Sequence, residues 1–273
     1  MNATVGVWLD PGMASFPDKW DDGTDLGSPS YQVHWYDERT AIIRQALHTN
    51  FEGPFLYLLL GSERALLLDT GTGHIDLRAI ADDLLAERDL SLVVAHTHGH
   101  GDHIGGDAQF SDRPDTVVVG TSQADVASYF QLADWPEQPG EYDLGGRVLD
   151  VIPIPGHQGS DVAFYDRASR LLLTGDSLYP GRLYVPDWTS YRASMRRLAD
   201  FVADGNAPDW VLGAHIEMTD QPGQDYAMGA DVHPGEHQLQ LDPAVLTELA
   251  DALAEAGPEP QHLRRDHFIV VPR

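Results

Sequence analysis

Four side chains of metal-ligand type lie within six residues of one another, in the run Ala-His-Thr-His-Gly-His-Gly-Asp-His-Ile-Gly-Gly at positions 95–106. They are His98, His100, Asp102 and His103. Neutral imidazole and carboxylate are good ligands for zinc, iron or manganese, whereas protonated imidazoles at this spacing would repel one another. Because one ion rarely takes four ligands from so short a segment, the run indicates two ions side by side.

The spacing of the run suggests how its ligands divide between two ions. In an extended segment residues i and i+2 point the same way, so His98 and His100 can reach one ion together. The glycines between the ligands remove side-chain bulk and allow a tight loop, which turns Asp102 and His103 toward a neighbouring position. Each half supplies two ligands, which is too few for either ion, so other parts of the chain must contribute.

Four further polar residues share one kind of placement, directly after a short apolar strand-like run. A lone histidine after a strand is ordinarily a capping or solvent-facing residue, but four such placements beside a ligand cluster favour a shared site. If these strands lie in sheets beside residues 92–95, their carboxyl ends can gather at one edge. The four residues are Asp69, His157, Asp176 and His215.

The elements that must position these residues follow from the apolar patterns of the chain. Strands are predicted at 41–48, 55–60, 65–69, 92–95, 116–119, 148–154, 162–165, 171–173, 210–212 and 268–271, and helices at 76–88, 122–132, 188–202 and 243–254. The strands come in hairpin-like groups with helices interspersed. This order is typical of a mixed α/β layered sandwich rather than a strictly alternating doubly wound sheet.

Length and local composition predict one domain over residues 1–273. Residues 1–30 are rich in Gly, Pro, Asp and Ser and form an irregular lead-in, and residues 216–273 form a C-terminal extension that contributes to the substrate side. Within that extension, residues 226–241 have the composition of an ordered loop.

The charge balance and the absence of cysteine narrow the functional classes. The net charge of −26 repels nucleic acid and anionic membranes, so neither is expected as a partner. Lys19 is the single lysine, which indicates either adaptation to high salt or a genomic preference for arginine. Without cysteine, disulfides and thiolate ligands are excluded. Residues 1–10 lack a signal-peptide pattern and the longest apolar run is too short to span a bilayer, which predicts a cytoplasmic protein.

The histidine run resembles the His-x-His-x-Asp-His signature of the metallo-β-lactamase fold superfamily. Asp69, His157, Asp176 and His215 are similar, in order and local context, to the other motifs of that family, so the resemblance covers about residues 41–215. It implies a four-layer αββα sandwich.

The same resemblance implies a role for each candidate residue. His98, His100 and His157 would hold the first ion, and Asp102, His103 and His215 would hold the second. Asp176 would bridge both ions, and Asp69 would orient the loop and its ligands, as metal-binding histidines usually require. The complete ligand set without a cysteine, together with the stretch at 175–184, is similar to the glyoxalase II, lactonase and related hydrolase branches.

The activity that this resemblance implies is hydrolysis by two divalent metal ions, with zinc expected first and iron or manganese as alternatives. A metal-bridging hydroxide would attack the carbonyl of a small ester, thioester or lactone. Asp102 would shuttle a proton to the leaving group. Tyr184 is the candidate donor to the oxyanion, although it is equally consistent with a packed loop aromatic.

The same residues are also consistent with functions other than ester hydrolysis. Similar ligand sets hold a single iron in sulfur dioxygenases of the superfamily, and a metal-dependent phosphodiesterase is a further alternative that the acidic charge disfavours. A non-catalytic binding protein is disfavoured by the intact ligand set. The oligomeric state is not indicated by the sequence.

The substrate is expected to be a small molecule, and the basic residues and histidines of the C-terminal part bear on its chemical class. Glyoxalase II-like enzymes hold glutathione with basic residues of a C-terminal lobe, but after His215 this chain offers only three arginines, Arg264, Arg265 and Arg273. Candidate substrate contacts are His233 and His237, which are also consistent with ordinary surface histidines. Arg182 is a third candidate, and it could equally pair with a surface acid.

Overall fold

The computed structural model describes residues 14–24, 27–230 and 232–273. Most of the described chain forms strands and helices in two large sheets, with a small third sheet. The strands are β1 (Tyr31–Asp37), β2 (Thr40–Gln45), β3 (Phe55–Leu60), β4 (Arg64–Leu68), β5 (Ser91–Ala95), β6 (Thr116–Val118), β7 (Gly140–Asp143), β8 (Val148–Pro153), β9 (Val162–Asp166), β10 (Leu171–Gly175), β11 (Arg182–Val185), β12 (Trp210–Gly213), β13 (Gln240–Leu241), β14 (Leu263–Arg264) and β15 (Ile269–Pro272). The helices are α1 (Leu77–Leu85), α2 (Gly101–Ile104), α3 (Gln123–Tyr129), α4 (Trp188–Ala203) and α5 (Ala244–Ala256), and residues Asp107–Phe110 form a 3-10 turn.

The first large sheet has the order β1-β2-β3-β4-β5-β6. Strands β1 to β4 pair antiparallel, whereas β4, β5 and β6 run parallel. All six residues of β3 are buried, because helix α1 covers one face of the sheet and the second sheet covers the other. Helix α1 begins after Asp76, whose side chain accepts a hydrogen bond from the Ala79 amide, and it packs Leu77 and Ile80 on the sheet.

The second large sheet has the order β13-β12-β10-β9-β8-β7. Helices α4 and α5 cover its outer face, where Tyr191, Met195 and Leu198 of α4 are fully buried. This spacing of three and four residues is the apolar stripe that predicted the helix. The predicted boundaries 188–202 differ from the observed helix by one residue at its end.

Alternate residues of the two sheets face each other across a shared core. Phe55 and Tyr57 of β3 contribute to it from one side, and Val151 and Phe164 contribute from the other. The molecule therefore has the layer order helix, sheet, sheet, helix. This arrangement confirms the predicted mixed α/β class and the four-layer αββα sandwich.

Several short elements are not predicted by the sequence pattern. Strands β1, β7, β11, β13 and β14 are missing from the prediction, which has no strand between residues 212 and 268. Strand β13 pairs with β12, and β15 pairs parallel with β11. The C-terminal extension thus continues both the second large sheet and the small sheet β11-β15-β14.

The described part of the lead-in, residues 14–24 and 27–30, contains no helix or strand. The rest of residues 1–30 lies outside the described residues, and so do residues 1–10, for which no signal-peptide pattern is predicted. Asp231 in the predicted 226–241 loop also lies outside them. Among the described helices, none combines the length and the apolar character needed to cross a membrane. The single-domain boundary at 1–273 stays a prediction.

The carboxyl ends of the central strands of both sheets meet at one edge. Strands β4 and β5 end there from the first sheet, and β10 and β12, which pair parallel, end there from the second. Backbone hydrogen bonds join the sheets at this edge: the Phe55 amide donates to the Ala214 carbonyl at 2.8 Å, and the Val162 amide donates to the Thr97 carbonyl at 2.9 Å. Residues that follow these strands are therefore brought together in space.

Candidate metal centre

Seven predicted ligand residues lie at this edge in two groups. Within each group every residue offers a ligand atom that lies within 4.8 Å of the others. We call the first the three-histidine group, which consists of His98, His100 and His157. We call the second the mixed group, which consists of Asp102, His103, Asp176 and His215.

A change of backbone conformation inside the histidine run separates the two groups. His100 is extended, with φ −75° and ψ 154°, and it is the residue that precedes helix α2. The amides of His103 and Ile104 then donate to the carbonyl of His100 at 3.0 and 3.2 Å. This single helical turn carries Asp102 and His103 away from the direction of His100. The run therefore supplies two residues to each group.

Of the two glycines between the ligands, Gly99 agrees with the prediction, because a Cβ there would stand 3.2 Å from Nε2 of Gln158 and from Cβ of Thr121, and Gly101 does not. A Cβ at Gly101 would meet nothing within 4 Å, so the tight loop does not depend on its missing side chain. The closest approaches lie at the end of the run, where a Cβ at Gly105 would stand 2.6 Å from the Thr72 carbonyl carbon and one at Gly106 would stand 2.5 Å from the Thr70 carbonyl oxygen. These two glycines allow the loop to pack against the segment that follows β4.

The mixed group contains buried polar atoms that face one another without hydrogen-bond partners among the described residues. They are Nε2 of His103, Nε2 of His215 and Oδ1 of Asp176. Oδ1 of Asp176 lies 3.4 Å from the first nitrogen and 3.3 Å from the second. Ligands held tetrahedrally at zinc distances stand about 3.4 Å apart. Because unsatisfied buried polar atoms are costly, their chemistry and spacing fit a divalent cation.

The three-histidine group is equally compact, and Asp176 reaches both groups. Nδ1 of His100 lies 3.0 Å from Nε2 of His98 and 3.0 Å from Nε2 of His157. The second carboxylate oxygen of Asp176, Oδ2, lies 3.6 Å from Nε2 of His157 and 4.0 Å from Nε2 of His98. One carboxylate thus turns one oxygen toward each group.

Three of the histidines are oriented by acceptors on their other ring nitrogen. Nδ1 of His103 lies 2.9 Å from Oδ2 of Asp69, Nδ1 of His157 lies 2.8 Å from the Tyr184 carbonyl, and Nδ1 of His215 lies 2.9 Å from the Glu52 carbonyl. Because these oxygens accept hydrogen bonds, each Nδ1 carries the proton and each Nε2 has a lone pair directed at the site. This is the tautomer that binds metal.

Asp69 also fixes the start of the histidine run. Its carboxylate accepts hydrogen bonds from the Thr97 amide at 2.8 Å and from the Thr97 hydroxyl at 2.9 Å. Asp69 has a φ of 65°, a left-handed conformation that is uncommon outside glycine, and it is fully buried. Such strain persists only where the surroundings hold it.

Burial and the carboxylates of Asp102 and Asp176 shift the pKa values of histidines in the site. Burial, with His103 and the other imidazoles, lowers the pKa of His98 well below its ordinary value, which keeps it in the neutral, ligating form. Burial also lowers the pKa of His215, but Asp176 and Asp102 outweigh burial and raise it. Burial opposes ionisation of Asp102, yet the imidazoles of His103 and His215, whose Nε2 atoms lie 3.4 and 3.3 Å from its Oδ2, lower its pKa. The mixed group therefore attracts positive charge, as a proton or as a metal ion.

A cavity of about 130 Å³ is lined by residues that contact the ligand histidines. We call it the side cavity. Two of its lining residues, Glu52 and Tyr184, are those whose carbonyls hold His215 and His157. Its wall is completed by Phe51, Arg182, Ile216, Glu217, His233 and residues 226–230. A molecule in this cavity would therefore lie beside the ligand residues.

The structure shows what surrounds the predicted substrate contacts. The Tyr184 hydroxyl accepts a hydrogen bond from Nε of Arg182 at 3.2 Å. Arg182 pairs with the carboxylates of Glu217 and Asp225, at 2.9 and 3.0 Å, so the interpretation that it pairs with acids is the one the structure supports. His233 is buried and lines the side cavity.

His237 lies elsewhere. Its Nε2 lies 2.9 Å from Nδ1 of His267, and it lines a separate cavity with Trp20. His237 is therefore not a contact of the side cavity.

The sequence prediction missed two acidic residues near the ligands. Glu52 lies in the turn at 50–54, where nothing in the pattern marks it as functional. Glu217 lies two residues after His215, and that position is the one signal that could have identified it. Burial raises the pKa of Glu52, His215 opposes this effect, and Asp102 and Asp176 add to it. The carboxylate of Glu52 thus lies within the field of the mixed group.

Comparison with protein families gives a match over most of the chain. Residues 50–244 match the sequence model described as the Metallo-beta-lactamase superfamily. This segment contains all seven ligand candidates and Asp69.

Curated relatives are similar at modest identity. The chain is 28% identical over 210 residues to acyl-coenzyme A thioesterase MBLAC2 of Gallus gallus, a match that covers 60% of this chain and 72% of that protein. It is 28% identical over 196 residues to hydroxyacylglutathione hydrolase of Aeromonas hydrophila, covering 70% of this chain and 72% of that protein. It is 24% identical over 159 residues to atrochrysone carboxyl ACP thioesterase of Passalora fulva, covering 55% and 46%. These matches span 46 to 72% of the relatives' own lengths.

Solved structures share the fold at lower identity. A metallo-beta-lactamase from Pontibacter korlensis is 18% identical with a TM-score of 0.56, and the match covers 82% of this chain and 99% of that one. The DIM-1 metallo-beta-lactamase is 13% identical with a TM-score of 0.54, covering 84% and 99%.

Proposed function

The chain belongs to the metallo-beta-lactamase superfamily, and from that premise we propose that it is a dinuclear metal hydrolase that cleaves a small ester, thioester or lactone. Membership and the thioesterase and hydrolase relatives make it a metal-dependent hydrolase. The proposal adds the number of ions, the reaction type and the roles of individual residues.

One observation carries the proposal. Asp176 belongs to the mixed group and also reaches the three-histidine group. Its Oδ1 lies near His215 of the mixed group, and its Oδ2 lies near His157 of the three-histidine group. A single ion would leave one of the two ligand groups without a metal, and each buried polar atom of the mixed group that stays unpaired costs about 1–3 kcal/mol. The three-histidine group would hold one ion, the mixed group would hold the other, and zinc is the ion that nitrogen and oxygen ligands of this kind suit best.

The chemistry supplied by two such ions is polarisation of the carbonyl and activation of water near neutral pH. Overall, water supplies a hydroxyl to the acyl carbon and a proton to the leaving thiol or alcohol as the acyl bond breaks. Asp102 would carry that proton, because its side chain belongs to the mixed group and is one-fifth exposed. Asp69 would hold His103 in the ligating tautomer throughout.

Tyr184 is the proposed donor to the developing oxyanion. Its hydroxyl accepts a hydrogen bond from Arg182, and accepting from a cationic donor strengthens a hydroxyl as a donor of its own proton. Tyr184 also lines the side cavity, which supports this role for a substrate that reaches from the ligand groups into it.

Acyl thioesters are the first substrate class to test, because the thioesterase relatives act on acyl thioesters by name. We further propose a small-molecule substrate, a cytoplasmic location, and no nucleic-acid or membrane partner, of which the last is supported by the net charge of −26.

The proposal is tested with enzyme loaded separately with zinc, iron and manganese. Each form is assayed on acyl thioesters, lactones, aryl esters and phosphodiesters, with metal content and oxygen uptake measured in parallel. We expect thioester or ester hydrolysis with about two metal equivalents and no oxygen uptake. His100→Ala should abolish turnover and lower metal content, whereas His262→Ala, at an exposed histidine outside both groups, should change neither.

Two results would contradict this function. Oxygen consumption by a form with one iron would favour a dioxygenase, and cleavage of phosphodiesters alone would favour a phosphodiesterase. Near-normal turnover in His100→Ala would remove the three-histidine group from the reaction.

A further inference from the structure

We propose that the side cavity receives the acyl group of the substrate and selects an apolar acyl group with a positive charge over one with a negative charge, with Glu52 as the specificity-determining residue. This inference rests on the proposed hydrolase function and names the substrate class of that site.

The side cavity is connected directly to the ligand residues. Glu52 and Tyr184 each line the cavity, and each holds a ligand imidazole with its backbone carbonyl, at 2.9 and 2.8 Å. Ile216, the residue after His215, also lines it. An ester whose carbonyl lies at the metal groups can therefore extend its acyl substituent past these residues into the cavity.

The charges in the cavity wall sum to a negative value. Arg182 is the one cation of the wall among its described lining residues, apart from any charge on His233, and its guanidinium is already held by the carboxylates of Glu217 and Asp225. Asp225 pairs in turn with Arg264 at the surface. A substrate carboxylate or phosphate would have to compete with these acids for Arg182, and partly desolvated pairs of this kind are not readily displaced.

Glu52 differs from the other acids of the wall. Within the described part of the chain its carboxylate makes no hydrogen bond or ion pair, and the residue is only partly exposed. An anionic group placed beside it would meet an uncompensated like charge, whereas a cationic group would gain a partner. Glu217 adds a second negative charge to the same wall.

The remaining surface of the cavity suits a short apolar group. Phe51 and Met228 are 51% and 65% exposed, which is unusual for large apolar side chains. They line the cavity from two segments that are far apart in the sequence. Tyr226, stacked flat on His233 at 4.1 Å between ring centroids, adds an aromatic surface. A volume of about 130 Å³ accommodates a group the size of a trimethylammonium with its short carbon chain.

Three thioesters of N-acetylcysteamine test the inference, because their acyl groups match in shape and differ in charge. They carry the trimethylammoniobutanoyl, dimethylhexanoyl and sulfobutanoyl groups, which are cationic, neutral and anionic. With zinc-loaded wild-type enzyme at about pH 8, we expect kcat/KM to be highest for the cation and lowest for the anion, by about tenfold or more overall.

Variants assign the preference to this cavity. Glu52→Gln should reduce the ratio of kcat/KM for the cation to that for the anion by about fivefold or more, because the unpaired charge is removed while the shape is kept. Met228→Lys, at an exposed rim position, should reduce the same ratio by adding a positive charge. The matched control is Glu87→Gln, which changes the net charge equally at an exposed residue just after α1 and should leave the ratio unchanged.

The outcomes separate the two proposals. Hydrolysis of none of the three thioesters by wild type, with esters and lactones also inert, would refute the proposed function and this inference together. Hydrolysis of all three at equal rates, or a preference for the anion, would overturn this inference and leave the hydrolase function standing. So would a ratio that Glu52→Gln and Met228→Lys do not change.

Discussion

Oδ2 of Asp69 lies 2.9 Å from Nδ1 of His103, and Asp69 holds this position in a left-handed backbone conformation. His103 is fully buried and its other nitrogen has no hydrogen-bond partner among the described residues. Asp69 therefore orients the Nε2 lone pair of His103 toward the mixed group before any ion binds. This arrangement raises the affinity of a histidine for metal.

We predict that Asp69→Asn weakens zinc binding in the mixed group about 10- to 100-fold and lowers kcat, because an amide holds the His103 tautomer less firmly. Asparagine tolerates the left-handed conformation, so the backbone should be preserved. Zinc affinity is measured by competition with a chelator. Asp107→Asn is the matched control, because Asp107 lies 2.8 Å from His96 and His96 belongs to neither group. Equal losses in both variants would contradict a specific role for Asp69.

The bridging position of Asp176 leads to a second prediction. Asp176→Ala should lose at least one metal equivalent, since its two oxygens face both groups and the imidazoles alone leave the mixed group short of a ligand. Metal content after gel filtration is the measurement, with the exposed Asp209→Ala as the control. Retention of two equivalents by Asp176→Ala would remove its bridging role.

A buried ion pair outside the site predicts how stability changes with pH. Arg147 contacts Asp166 at 2.5 Å, both side chains are almost fully buried, and Arg147 also donates to the carbonyl of Leu60, which joins the two sheets. Burial opposes ionisation of Asp166, but hydrogen bonds with Arg147 outweigh burial and lower its pKa. The pair therefore stabilises the fold fully above about pH 4, the ordinary aspartate pKa, and this contribution is lost as the pH falls through the lower folded-state pKa.

Asp166→Asn should lower the free energy of unfolding by about 3–5 kcal/mol at pH 7, because it leaves the buried Arg147 charge uncompensated. The difference from wild type should narrow as the pH falls below about 4. Denaturant titrations of metal-free protein at several pH values test this. Asp209→Asn removes an exposed pair with Arg170 and should cost no more than about 1 kcal/mol. A difference from wild type that stays constant with pH would contradict the assignment.

A second buried pair holds the loop beside the side cavity. Arg44, on β2, makes two hydrogen bonds to Glu236, at 2.7 and 2.5 Å, and Oε1 of Glu236 lies 3.1 Å from Nδ1 of His233. Glu236→Gln should therefore loosen residues 226–230 and 232–237, with faster amide hydrogen exchange there and a higher KM. Glu248→Gln, which removes a longer and more exposed contact with Arg265, serves as the control. Unchanged exchange in the loop would show that the pair does not hold it.

The sequence predicted the elements whose signals are local and strong. The apolar run of β3 was predicted with the observed boundaries, and the stripe of α4 was predicted within one residue. Strand β1 was missed because its residues are only half-buried and polar residues interrupt its apolar pattern, and β7 was missed because it is a four-residue edge strand with exposed glutamate and aspartate. Strand β11 was missed because its pairing with β15 is set by tertiary contacts.

The candidate site shows the same division. Positions such as His157 and His215 follow strand ends, and the layer architecture brings those ends together, so sequence reasoning could identify them. Glu52 could not be identified, because its proximity to the mixed group comes from the contact of its carbonyl with a histidine 163 residues away. The predicted role of Gly101 was wrong for a similar reason: the close backbone approach occurs at Gly105, against a segment that precedes α1.

Anomalous diffraction from a zinc-loaded crystal of the active enzyme tests the pairing of the two groups most directly. We expect two peaks, one contacting His98, His100 and His157 and the other contacting Asp102, His103 and His215, with Asp176 touching both. A single peak in fully active protein, or two peaks that leave either group without an ion, would contradict the dinuclear centre.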